Sequence, residues 1–236
     1  MIVFDPLARL LYRDALVLII DKPAGLPVHA GPGGGDHLGN YLDALRFGLP
    51  RRPQLGHRLD RDTSGCLVLG RHAAALRRLG KIFEQGRARK TYWAIVNGTP
   101  PLPEGRIEQP LLRSVHADGH GFRMVPDPTG QPAITDYKVL GQLGTQTWLE
   151  LRPQTGRTHQ LRVHCVVLGC PIWGDAKYGA AEAGAPLMLH AQALQLPLYP
   201  QKPPISAQAP PPSAMAAWLA LLPVPPALIL PQNHTS

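Results

Sequence analysis

Cysteine is scarce in this 236-residue chain, and acids are outnumbered. Cys66, Cys165 and Cys170 make an odd set in apolar surroundings with no Cys-x-x-Cys, which excludes a disulfide framework and a cysteine-rich zinc site. Long apolar runs are missing near the start, where Ala15 to Ile20 falls far short of the ~20 residues a membrane span needs. The opening Met1-Ile2-Val3-Phe4-Asp5 lacks a basic leader region. Export and membrane insertion are therefore not expected, and a cytoplasmic compartment is. No Ser/Gly-rich or charge-run linker divides the chain into self-sufficient halves. One domain with two lobes is expected over residues 1–222, with 223–236 a proline-containing, loosely ordered tail.

What is present suffices for a core: 44% of the residues are hydrophobic and 17% charged. Lys and Arg number 24 against 16 Asp and Glu, a net charge of +8. Residues 46–106 alone carry 13 Lys/Arg and 4 Asp/Glu, so the basicity is regional. Such a region suits a surface that meets a polyanion; a solvated face with arginines paired inside the fold accounts for it equally well.

Along the chain, the apolar run to Ile20 reads as a strand feeding the loop Asp21-Lys22-Pro23-Ala24-Gly25-Leu26-Pro27-Val28-His29, where proline and glycine oppose helix. Gly31-Pro32-Gly33-Gly34-Gly35 is a turn and not a phosphate-binding loop, because no Gly-Lys-Ser/Thr follows. Leu38, Leu42 and Leu45 are spaced as on a helix up to Phe47. A polar turn, His57 to Gly65, precedes the apolar run Cys66-Leu67-Val68-Leu69. Leu76, Leu79 and Phe83 mark an amphipathic helix from Ala73, ended by Gly86, and Arg87 to Val96 reads as a strand. Residues 99–131 suggest hairpins or an excursion; Ala133–Leu140 and Thr145–Leu151 are two strands joined by a turn from Gly141 to Gly144. Thr155 to Thr158 would open a helix running from His159 to Leu168, and a further short helix spans Ser213 to Leu222. Strands with scattered helices and no βαβ rhythm predict an α+β fold with a mixed, mainly antiparallel sheet.

Asp60 is the foremost candidate for chemistry, as an acid in a glycine-closed turn beside a buried strand. Taken alone, an aspartate there also serves to cap its own backbone, a role that suits Asp62 better. A second cluster, Gly156 to His164, brings Arg157, His159 and Arg162 within about two helical turns. One of these arginines can hold a buried carboxylate ionised, or can simply be a surface charge. His159 and His164 are five apart with no accompanying Glu, so a metal is not expected.

The segment His57-Arg58-Leu59-Asp60-Arg61-Asp62-Thr63-Ser64-Gly65 closely resembles the signature of RluA-type RNA pseudouridine synthases. The segments Asp21–His29, Lys90–Ala94, Thr155–His164, Leu168–Asp175 and Leu189–Ala191 agree in order with the same family. The resemblance implies a two-lobed pseudouridine synthase fold with an RNA-binding cleft. It implies an isomerase without cofactor or metal that breaks the uridine N1–C1′ bond in ribosomal or transfer RNA, turns the base and rejoins it through C5. By the family pattern Asp60 attacks C1′ or abstracts a ribose proton, Tyr92 packs on the base and takes the C5 proton, and Arg162 pairs with Asp60. Arg58 would fill the space the everted base leaves. His57, Leu59, Arg61, Thr63, Lys90, Arg157 and His159 would line the substrate site. Arg51, Arg52, Arg61, Arg77, Arg78, Arg87, Arg89 and Lys90 are candidates for phosphates. Many relatives carry a small RNA-binding domain before the catalytic one; here about ten residues precede the first matching strand, so recognition by the catalytic domain itself, as a monomer, is expected. An RNA-binding or RNA-folding module on the same scaffold, and a metal-dependent phosphohydrolase using scattered His and Asp, are the competing readings.

Overall fold

The computed structural model describes residues 4–31, 34–115, 121–179, 181 and 184–223. The expected tail from 224 onward and the Pro32-Gly33 part of the glycine-rich turn lie outside these residues. The first hairpin pairs β1 (Leu10–Arg13) with β2 (Val17–Lys22). Short β3 (Gln54–Leu55) and long β4 (Ser64–Gly70) follow, then helix α1 (Ala73–Glu84) and β5 (Arg89–Asn97). The stretch expected to be an excursion supplies β6 (Glu104–Glu108) and a hairpin of β7 (Leu111–Val115) and β8 (Phe122–Pro126) that forms a two-stranded sheet of its own. After it come β9 (Ile134–Leu143), β10 (Gln146–Pro153), α2 (Gln160–Val167), β11 (Leu189–Leu196), β12 (Ile205–Gln208) and α3 (Ser213–Leu219).

The main sheet runs β1-β2-β4-β11-β5-β10-β9-β6, with β3 added on β4 and β12 on β11. Among the described strands, the parallel contact is β4 against β11, through Ser64–His190 and Gly65–Ala191; the remaining pairs are antiparallel. The cores run across this parallel seam, Cys66 and Val68 of β4 packing in one cluster with Leu194 and Leu196 of β11. β2 and β4 are buried on both faces, which is why they read as unbroken apolar runs instead of alternating ones. On one face Val17, Ile19, Cys66 and Val68 pack under Leu79 and Ile82 of α1; on the other Leu18, Ile20, Leu67 and Leu69 meet Leu38, Leu42 and Leu45. A third core, around Trp148, Leu149 and Leu151, lies beneath α2 and α3.

Three expectations need correction. The helical spacing over Leu38 to Phe47 is realised as two short 3-10 turns, Leu38–Asn40 and Leu42–Leu45, because three leucines reach one core without a full helix. β9 continues to Leu143, so the turn expected over 141–144 shrinks to Gly144-Thr145, with a register shift near Gly141. Helix α2 starts at Gln160, and His159 stands before it in left-handed conformation at φ 52°.

Candidate active site

The turn that carries Asp60 lies between β3 and β4 and is pinned from below. Lys22, fully buried at the end of β2, donates from Nζ to the carbonyls of Pro23 (2.7 Å), Leu26 (2.9 Å) and Arg61 (2.9 Å). Arg61 O also accepts from Gly25 N–H at 2.9 Å, so the loop after β2 and the Asp60 turn share one carbonyl. Burial pulls Lys22 down to about 8, with Asp62 and Asp60 opposing, so at neutral pH its ammonium still keeps three protons for three acceptors. Leu59 and Thr63 are buried anchors, and Thr63 N–H closes the turn on Asp60 O at 3.2 Å. Asp62 does not cap the turn: its carboxylate pairs with the exposed Arg61 side chain at 3.0 Å.

Asp60 retains 21% side-chain exposure and opens onto two cavities. The first, about 570 Å³, is also lined by His57, Lys90, Tyr92, Arg157 and Leu189; the second, about 1150 Å³, by His29, Arg61, Phe122 and Lys177. Arg58, Leu59, Asp60, Thr158, His159 and Arg162 line both and so form the ridge between them. Segments 57–63 and 155–162, about a hundred positions apart, are thus brought to one place, together with Lys90 and Tyr92 of β5.

Arg162 is buried, and its fork is taken by Asp175: Nε to Oδ2 at 2.8 Å and Nη2 to Oδ1 at 2.7 Å. The expected direct pairing with Asp60 is therefore corrected. Asp175, only 1% exposed, matches the planar guanidinium at two points, whereas Asp60 makes no hydrogen bond or ion pair to it. Burial alone would raise the Asp175 carboxyl, but Arg162 and the N–H groups of Tyr178 and Lys177 outweigh it and hold the group below its ordinary value. Burial works against the Arg162 charge; Asp175 first and then, through space, Asp60 more than restore it. The cation expected beside Asp60 is thus present, held by another acid.

Other site side chains are fixed as firmly. His57 Nε2 accepts from Val68 N–H at 3.1 Å and its ring stacks on Phe83, while burial, and then the charge of Lys90, push it down to about 3. It is a neutral wall of the first cavity. Burial, followed by the charge of Asp60, raises Tyr92 above its ordinary range, which keeps its hydroxyl protonated. Lys90 donates to Thr155 O at 3.0 Å, and Arg157 Nε to Pro132 O at 3.0 Å. Burial pushes the nearby Cys66 thiol up to about 12, so it offers no thiolate.

Residues not assigned roles from sequence complete the site. Gln160 uses its whole amide: Oε1 accepts from Thr155 Oγ1 (2.7 Å) and Arg157 N–H (3.0 Å), and Nε2 donates to Ile134 O (2.9 Å) and Thr135 Oγ1 (3.0 Å). It ties the 155–160 loop to β9. Asp175 and Tyr178 follow Gly174, which takes φ 79° and has no room for a Cβ against Pro186 O. A Gly-Asp pair after a helix was the available signal. Buried His164 and His190 have both ring nitrogens occupied, by Thr135 and Gln109 O and by Ser64 and Ala209 O, and among the described residues no three His, Cys, Asp or Glu converge as metal ligands.

Comparisons with known proteins agree with this geometry. The family described as RNA pseudouridylate synthase matches residues 16–166. An uncharacterised RNA pseudouridine synthase of Zymomonas mobilis is 47% identical over 209 residues, covering 87% of this chain and 94% of that protein. The ribosomal large subunit pseudouridine synthase C of Buchnera aphidicola from Schizaphis graminum is 38% identical, covering 73% of this chain and 54% of the relative. The chain spans 60% of a relative in Synechocystis and 40% of a mitochondrial one in Arabidopsis thaliana. Human RNA pseudouridylate synthase domain containing 4 superposes with a TM-score of 0.78 at 28% identity, over 93% of this chain and 95% of that one. The family match over residues 16–166 and the likeness to the Zymomonas relative along most of both chains leave one conclusion: the chain belongs to the RNA pseudouridylate synthases, isomerases that convert uridine in RNA to pseudouridine.

Proposed function

We propose that Asp60 is the nucleophile. Its carboxylate attacks C1′ of an everted uridine, the C1′–N1 bond breaks, and the uracil leaves as an anion that turns within the first cavity. C5 then attacks C1′ and displaces Asp60, the C5 proton is lost to solvent, and N1 is protonated. The observation that carries this reading is the position of Asp60 on the ridge between the two cavities, one for the base and one for the flanking strand. Arg162, fixed by Asp175, keeps a positive field beside the carboxylate. Tyr92 acts as the packing surface for the base, since a hydroxyl kept protonated is a poor base for C5. Arg58, exposed on the ridge, fills the gap in the stack, with Leu59, Thr63 and His57 forming the pocket wall.

The RNA backbone follows the basic stretch through Arg51, Arg52, Arg61, Arg77, Arg78, Arg87, Arg89 and Lys90, and Arg157 lines the substrate site. Structured ribosomal or transfer RNA is the target class, a reading supported by the name of the Buchnera relative. Residues 1–222 form the catalytic domain, working as a cytoplasmic monomer without metal or cofactor. Among the described residues no helix is long and apolar enough to cross a membrane. Tritium release from C5-labelled RNA tests the reaction: Asp60→Asn is expected to bind RNA as wild type does and release no tritium. Full release by that variant, or activity that a chelator abolishes, overturns the proposal.

A further inference from the structure

Where the β7–β8 hairpin meets α2, polar groups converge that the reaction above does not use. His159 Nδ1 lies 2.7 Å from the Tyr178 hydroxyl, and Met124 N–H on β8 donates to the same oxygen at 3.0 Å. A phenol has one proton to give. Among the described residues Nδ1 is the acceptor within bonding reach of that hydroxyl, which favours the arrangement in which the phenol donates and Nδ1 accepts. A neutral imidazole that accepts at Nδ1 carries its own proton on Nε2. Nε2 is the nitrogen that faces Asp60, 3.9 Å from Oδ2.

The ring is held from several sides. Its backbone sits in the left-handed region, a conformation non-glycine residues adopt chiefly where surrounding structure imposes it. Phe122 of the hairpin lies parallel to it, with centroids 5.8 Å apart and planes 8° off, and Tyr178 meets it edge-on at 5.4 Å. Four charged groups face it: Asp60 and Asp175 favour the imidazolium, Arg162 and Lys177 oppose it. Burial, the largest influence, also opposes it, and the balance lies below the ordinary histidine value.

We propose that His159 is a positioning residue for Asp60: as RNA fills the pocket, Nε2–H closes about 1 Å onto Oδ2 to make a hydrogen bond, leaving Oδ1 free to face the sugar, and Tyr178 fixes the tautomer that makes this possible. This rests on Asp60 acting at the sugar. The hairpin belongs to the device, because Arg113 and Lys177 lie over the Phe122 ring at 4.3 and 4.9 Å, and a strand docking on these cations settles the stack that holds His159.

Nitrogen-15 NMR of histidine-labelled wild-type protein, with His159 signals identified by their absence in His159→Gln, is expected to show a protonated Nε2 and a bare Nδ1. In kinetics on uridine-containing RNA, Tyr178→Phe is expected to lower kcat about tenfold and leave KM within about twofold. His159→Asn, with its amide at the δ position, falls at least as far, while His159→Gln, which returns an N–H near the ε position, recovers most of the rate. A proton on Nδ1 in the wild type, or equal rates for the Asn and Gln variants, overturns the inference. If His159→Gln fails to fold, the absence of the same signals in His159→Asn identifies them, and the wild-type spectrum then decides. Wild-type protein that leaves uridine unconverted but shows the Nε2–H signature overturns the proposed reaction, and the positioning role with it, a result distinct from a wrong tautomer in an active enzyme.

Discussion

Asp175 grips Arg162 at two points, 2.8 and 2.7 Å, and its Oδ1 also accepts from the backbone N–H groups of Lys177 and Tyr178, both at 2.9 Å. The pair is buried on both sides, so removing either partner strands a charge or a donor. Asp175→Asn is expected to cost about 3–5 kcal/mol in urea unfolding, and Arg162→Lys to lose most of the two-point geometry. The pH sign follows from the depressed Asp175 carboxyl. Its contribution is complete above the ordinary value of 3.8 and is lost as pH falls through the lower folded-state value, so wild type and Asp175→Asn should converge in stability in acid.

Lys90 titrates within reach of assay. Burial lowers its ammonium from 10.5 to about 8. RNA affinity should therefore weaken as pH rises through about 8, while Lys90→Arg, charged throughout, stays flat over the same range. Between about 8 and 10.5 the unfolded chain binds the extra proton, so this lysine makes stability rise with pH there. Unfolding curves of wild type and Lys90→Gln should diverge upward across that window.

Gly65 follows the Asp60 turn at φ 107° where β4 meets β11, and an added Cβ would strike the Ala191 backbone. Gly65→Ala is expected to cost at least about 3 kcal/mol, read by thermal unfolding, because the neighbour is backbone and cannot step aside. Wild-type stability in this variant would mean the seam is looser than described.

Arg77 and Arg78 on α1 are exposed and form no ion pair with a described residue, unlike Arg46, Arg61 and Arg106. If they meet phosphates, Arg77→Gln with Arg78→Gln should lower the slope of log affinity against log salt by about 0.7–0.9 per contact, without changing which uridine is modified. An unchanged slope would remove them from the RNA path.

How much could be read without coordinates follows from how local each signal is. The turn holding Asp60, the strand holding Tyr92 and the amphipathic α1 are written in contiguous patterns, and each forms close to where the pattern lies. The 3-10 turns before β3 escape periodicity because three leucines look the same on either kind of turn. The partner of Arg162 is not legible in the sequence because an arginine's neighbour is set by tertiary packing: Asp175 reaches it only after the chain has left α2 and turned at Gly174. The role of Gln160 was hidden too, since nothing in the letters shows that all four of its bonds are made.

The seam between β4 and β11 joins Gly65 to Ala191, so the strand that follows the Asp60 turn has β2 and β3 beside it early in the chain but gains its parallel flank only from β11. A growing polypeptide still short of Leu189 has β4 without that flank and lacks one wall of the first cavity.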